Sequence, residues 1–160
     1  MRSSDASVTV RLASRGDEAT VSQLAARLAD FGLPRWRVPE EISSADARAM
    51  SNAITAAGAD DQVFIAERHG QAVGCPHVLA ATDFFGRRHA HISVIAVTAV
   101  AEGTGVGNVL VAHAEKWAQG RGFTLVTLNV FAENARARRL YERHGFVPEI
   151  VKYAKPIGDR

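Results

Sequence analysis

Apolar positions recur along the chain with two different periods, and their order outlines a mixed α/β domain. VTVRL (Val8 to Leu12) alternates and predicts a strand. Between Ala19 and Phe31, residues Val21, Leu24, Ala25 and Leu28 share one helical face. The prolines of GLPRWRVPEE predict a loop, and Ser44 to Ala57 a second helix with Gly58 near its end. QVFIAE predicts a strand, RHGQ a tight turn, and AVGCPHVLAAT the hairpin partner. Pro76 removes one ladder donor from that partner, so an edge position or a bulge is expected there. After the turn DFFGRR, HAHISVIAVTAV predicts a long apolar strand.

From Gly105 the period changes. Val106, Val109, Leu110, His113, Ala114, Trp117 and Ala118 follow the rhythm of an amphipathic helix that ends in QGRG. FTLVTLNV predicts a strand, Asn134 to His144 a short helix capped by Gly145, and FVPEIVKYAKP a last strand. The order β-α-α-β-β-β-α-β-α-β predicts a single α/β domain over residues 1–160, a central mixed sheet flanked by helices.

Composition narrows the class. At 160 residues, 47% hydrophobic and 22% charged, the chain reads as one soluble domain with a real core. A formal net charge of +2 gives no electrostatic case for nucleic acid. The lone Cys75 cannot close an internal disulfide, which fits a reducing compartment, and it reads as a small buried hydrophobe. MRSSDASVTV lacks the apolar run of a signal peptide, and no stretch is long enough to cross a bilayer. These features predict a soluble, cytoplasmic protein with no membrane or nucleic-acid partner.

AVAEGTGVGNVL (Ala99 to Leu110) carries the chemistry. Three glycines at alternate positions lead from a strand into a helix, where orphan N–H groups and the helix dipole favour an anion. Two named phosphate motifs fail on this stretch. No Gly-Lys pair exists for a P-loop, and the dinucleotide fingerprint has its third glycine one residue early with Phe123 where an acid belongs. The second half adds LNVFAENARARRLYERHGF. Asn134 stands at a strand-to-helix junction, where it can cap the helix, and Tyr141 lies two helical turns on, on the same face.

Together these segments resemble the GNAT superfamily of acyl-CoA-dependent N-acyltransferases. The family's R/Q-x-x-G-x-G/A loop falls on Glu102-Gly103-Thr104-Gly105-Val106-Gly107. Its N-x-x-A-x-x-L-Y-E-x-x-G-F signature is met by Asn134, Ala137, Leu140, Tyr141, Glu142, Gly145 and Phe146. The resemblance implies acetyl-CoA as co-substrate, with no metal. It implies that Ile95, Ala96 and Val97 offer main-chain groups to the pantetheine arm. Gly103, Thr104, Gly105, Val106, Gly107 and Asn108 would hold the pyrophosphate through backbone amides. Asn134 would contact the cofactor arm, and Tyr141 would face the sulfur and act as general acid. An oxyanion-binding N–H would come from the region of Val97.

The sequence departs from the family at Glu102. A carboxylate aimed at the pyrophosphate at ~4 Å would cost roughly 4 kcal/mol at an effective dielectric near 20. Glu102 is therefore expected to point to solvent; weakened cofactor affinity and lost activity are the alternatives. Arg136, Arg138, Arg139 and Arg143 offer compensation or form a solvated face, with Arg138 or Arg139 within reach of a CoA phosphate.

A general base is harder to find. A lysine-like amine costs about 4–5 kcal/mol to deprotonate at pH 7, and AHISVIAV contains no acid. On strict alternation His91 and Ser93 share a face with Ile95 and Val97. His91 is then a base or water-holder, or else a packing histidine, and Ser93 a water or substrate ligand. Glu133 is a second candidate. For the acceptor, a small-molecule or peptide amine, Phe31 and Trp36 would form a wall and Glu40 or Glu41 would attract the cation, unless all four simply pack on the domain. Dimers are common among proteins of this type, which leaves a homodimer open. Two rival readings stand beside the enzyme: a CoA-binding sensor without turnover, and a small nucleotide-binding regulator.

Overall fold

Three long strands, β2 (Asp61–Arg68), β3 (Gln71–Thr82) and β4 (Arg88–Val97), form an antiparallel meander in the computed structural model, which describes residues 7–158. The MRSSDA end of the leader reading lies outside the described residues. Short β1 (Thr9–Leu12) pairs with β2, and β5 (Val126–Leu128) joins β4 in parallel, giving the order β1-β2-β3-β4-β5. Two helices, α1 (Glu18–Arg27) and α2 (Pro39–Ala56), cover one face; α3 (Val106–Gly120) covers the other. α4 (Ala135–Arg143) packs on α3. This is the mixed sheet flanked by helices that the periodicity predicts.

Each face has its own core. Val21, Leu24 and Ala25 of α1 and Met50, Ala53 and Ile54 of α2 close on Val63, Ile65, Cys75, Val94 and Ala96. On the other side Val106, Leu110 and Ala114 of α3 meet Ala66, Val78 and Ile92, in two adjoining clusters. Burial pushes the Cys75 thiol up to about 12, so it behaves as a buried apolar group.

Four expectations need correction. α2 begins at Pro39, not Ser44: proline sits in the first turn with Glu40 and Glu41 behind it, a helix start inside what reads as a proline loop. Of the two alternatives for Pro76 the edge position fails, since it lies in a middle strand, and the bulge holds: the β2–β3 register carries no pair at Pro76, and a register shift against β4 follows at His77/Val78. β5 spans three residues of the eight in FTLVTLNV, because its ladder with β4 ends at Ile92. Finally, FVPEIVKYAKP forms no strand. A strand needs a neighbour for its N–H and C=O groups, and among the described residues no strand pairs with this segment, although Phe146 packs on the core.

Candidate active site

β4 and β5 part company after Ile92. His77 pairs with Val94 and Val78 with Ile92, leaving Ser93 as an extra, unpaired residue. The bulge kinks β4, and Ser93 to Val97 continue without a β5 partner. A cleft of about 310 Å³ opens where the strands diverge. Ile95, Ala96 and Val97 of β4 line it together with Gly103, Gly105, Gly107 and Asn108 of the loop and Asn134, Leu140 and Tyr141. Arg27 and Phe31 reach it from the α1 side.

The glycine loop is shaped by its backbone. Gly103 and Gly105 have φ of +70° and +88°, a region that L side chains avoid. The amides of Val106, Gly107 and Asn108 open α3 and have no intrahelical acceptor. Gly107 serves packing too, since a Cβ there would stand 3.1 Å from Leu140 Cδ2. Not every loop residue faces the cleft. The Thr104 hydroxyl donates to the Ala101 carbonyl (2.6 Å) and accepts from Arg68 (3.0 Å), while its amide donates to the same Ala101 oxygen (3.3 Å). The Val106 side chain is in the core.

Glu102 does not point to solvent. Its carboxylate is held by Arg27 from α1 on one oxygen and by Arg136 from α4 on the other (2.8 Å). Arg27 also donates to the Val97 carbonyl (3.4 Å), bonds Asp30 and lies over the Phe31 ring. Arg27, Arg136, Arg139 and Arg143 all line the cleft, against the one lining carboxylate of Glu102. The cleft is therefore cationic although the loop itself carries no basic residue. Arg138 instead donates to the Ala132 carbonyl (3.0 Å).

Asn134 caps α4, its side-chain oxygen accepting from the Ala137 amide at 3.1 Å, and it lines the cleft as well. The chain is pinned at this point: a Cβ on Gly32 would come within 2.5 Å of the Asn134 nitrogen, so the turn after α1 lies directly on the entrance to α4. Tyr141 faces the cleft with its ring edge-on to Phe146, and burial pushes its hydroxyl up to about 12. It is a protonated donor throughout the neutral range.

His91 and Ser93 do not line the cleft. The bulge reverses the alternation: Val94 and Ala96 pack toward α1 and α2, Ile92, Ile95 and Val97 toward α3. His91, next to Ile92, is thus on the α1–α2 face, opposite Ile95 and Val97, and the strict-alternation reading is overturned. Ser93 is exposed. His91 sits with buried His77 and His89, and burial, followed by those two neighbours, lowers its pKa. Its Nδ1 meets Thr127 Oγ1 at 2.8 Å. His77 pairs through Nε2 with Asp61 (2.6 Å) while its Nδ1 is buried without a partner, and Asp46 of α2, raised by burial, lies within its electrostatic reach. Trp36, Glu40 and Glu41 are exposed and outside the cleft.

Sequence reasoning missed Arg27, His77 and Thr127. Arg27 lies 75 residues from Glu102, and no local pattern joins them. His77 carried a signal, a polar residue inside an apolar strand, which went unused.

Residues 26–146 match the model of the Acetyltransferase (GNAT) family. A mycothiol acetyltransferase from Jonesia denitrificans is 38% identical over 74 residues, 45% of this chain and 24% of the relative, so the chain spans about a quarter of that protein's length. A putative acetyl transferase from Pyrococcus furiosus superposes with a TM-score of 0.74 at 22% identity, over 94% of this chain and 100% of that one. The PaiA N-acetyltransferase of Thermoplasma acidophilum, solved in complex with coenzyme A, gives 0.76 at 18% identity over 91% and 93%. With a family match across three-quarters of its length and both motifs on one cleft, the chain belongs to the GNAT acetyltransferase family.

Proposed function

We propose that the cleft binds acetyl-CoA and that the chain transfers the acetyl group to a primary amine of a small molecule or peptide. The observation that carries this reading is the cleft itself, which unpaired β4 backbone, the glycine loop, four arginines and Tyr141 line together. The residues fit the group. The divergence of β4 from β5 leaves the β4 edge beyond Ile92 free for an extended arm. The amides at the start of α3 suit the pyrophosphate, and Glu102 adds no naked negative charge because two guanidiniums hold it.

Acetyl-CoA supplies an activated thioester. The Val97 N–H would hold the carbonyl oxygen while the amine nitrogen attacks the carbonyl carbon and the C–S bond breaks. Tyr141 would give its proton to the departing sulfur. The amine proton must leave in the other direction. His91, kept neutral at pH 7, is about 13 Å from Ile95 along the strand at ~3.3 Å per residue. It would act through water beside exposed Ser93, not by contact. Thr127 would orient it through Nδ1.

A thiol-release assay over amino acids, polyamines, aminoglycosides and peptide N-termini tests the proposal, with turnover expected for at least one class. The absence of any carboxylate on β4 and the distance of His91 favour one alternative, a CoA-binding sensor. Binding without thiol release over the whole panel would select that reading.

A further inference from the structure

The glycine loop is held from outside the cleft. Arg68 ends β2 and pairs with Gln71 across a two-residue turn, where His69 and Gly70 both take positive φ (+53° and +71°). Its guanidinium reaches the loop and grips one residue twice. Nη1 donates to the Thr104 hydroxyl (3.0 Å) and Nη2 to the Thr104 carbonyl (3.3 Å). The hydroxyl in turn donates to the Ala101 carbonyl (2.6 Å). Among the described residues these are the only hydrogen bonds of the Arg68 side chain, and its Nε–H is buried without one. Neither Arg68 nor Thr104 lines the cleft, whereas Gly103, Gly105 and Gly107 do.

We infer that Arg68 is a positioning residue that turns the Gly105 N–H into the cleft, toward the pyrophosphate. In a trans peptide the C=O and the following N–H point in opposite directions, and the described chain has no cis bond. With the Thr104 carbonyl held on Arg68, outside the cleft, the Gly105 N–H faces the other way, and among the described residues it has no acceptor. Glycine does not enforce this orientation. At φ +88° Gly105 has no Cβ to hinder rotation of the peptide plane that precedes it. Rotated, that plane would present a carbonyl oxygen to the phosphate in place of a donor. Arg68 opposes the rotation from 36 residues away in the chain. This inference rests on the reading of the cleft as a coenzyme A site.

Isotope-edited NMR titration of Arg68→Ala tests it with three ligands: acetyl-CoA, its 3′-dephospho form, and S-acetyl-pantetheine, which lacks the pyrophosphate. The variant should bind the first two about 10-fold more weakly and S-acetyl-pantetheine as the wild type does. The Gly105 amide should lose the shift that acetyl-CoA produces in the wild type. Arg68→Lys, able to reach one Thr104 oxygen, should regain part of the affinity. Thr104→Val removes only the hydroxyl; it should show a smaller loss with the same ligand pattern, and it stands in if Arg68→Ala does not fold. A loss with acetyl-CoA that vanishes with the 3′-dephospho form would make Arg68 a direct phosphate ligand and overturn the inference. So would an equal loss for all three ligands. Wild-type binding with an unchanged Arg68→Ala would remove the role of Arg68 alone. A wild type that binds none of the three would overturn the coenzyme A reading, and this inference with it.

Discussion

Up to Ala118 the chain builds two well-filled cores; beyond it, from residue 119 to 158, no residue is buried. Both regions are nearly half apolar in composition, and both carry half of the family signature. The difference is what lies against them. β2, β3 and β4 are covered on both faces by α1, α2 and α3, whereas β5 and α4 are only partly covered and residues 147–158 are exposed throughout. The first region is a filled, packed scaffold. The second holds Asn134 and Tyr141 on a helix whose own nine residues include none that is buried, so its order comes from Asn134 capping, Leu140 against Gly107 and the arginine pair on Glu102.

Substitutions should separate the regions sharply. Leu110→Ala, in the fully buried floor of α3, should cost about 2–5 kcal/mol in urea denaturation, whatever the protein concentration. If Leu110→Ala is neutral, the division into a filled scaffold and an open flank is wrong. The next effect belongs to chemistry. Tyr141→Phe should reduce turnover by about 100-fold or more while leaving acetyl-CoA affinity nearly unchanged; an unaltered rate removes Tyr141 from its role.

Smaller effects are expected at the ion pair that joins the two regions. Arg136→Ala should weaken acetyl-CoA binding about 5-fold, near 1 kcal/mol for a partly exposed pair, because it deletes a positive charge and leaves Glu102 with Arg27 alone. Adding Glu102→Gln should restore most of that loss. A double variant no tighter than the single one would show that Glu102 is not neutralised by these arginines but irrelevant to the ligand.

The smallest effect is in pH. His91 and His113 have pKa values lowered by burial, so the unfolded chain binds protons first, near pH 6.5. The stability they contribute is complete above that value and declines as pH falls from about 6.5 through their folded values. Thermal melts between neutral and mildly acid pH should show the decline, and His91→Gln should make it shallower. A Tm independent of pH in that window would contradict the buried placement of His91.

Much of this molecule was legible in the sequence because it is local. Amphipathic periods gave the helices, and the strand–glycine–helix run together with Asn134 and Tyr141 located the cleft. What escaped was register and distance. One extra residue at Ser93 flips the strand phase, and no alternation rule shows a bulge. Glu102 is answered by Arg27 and Arg136 across the fold, so its charge, read alone, points to the wrong conclusion. The last predicted strand is absent: FVPEIVKYAKP has a strand-like composition, but a strand forms only against a neighbour, and among the described residues no ladder includes it.

The central claim is that this cleft takes coenzyme A through backbone amides and arginines, and calorimetry tests it directly. Acetyl-CoA and CoA should bind one per chain, and NAD and ATP should give no comparable heat. Binding of NAD or ATP as tight as that of acetyl-CoA, or no binding of either CoA compound, would contradict the account.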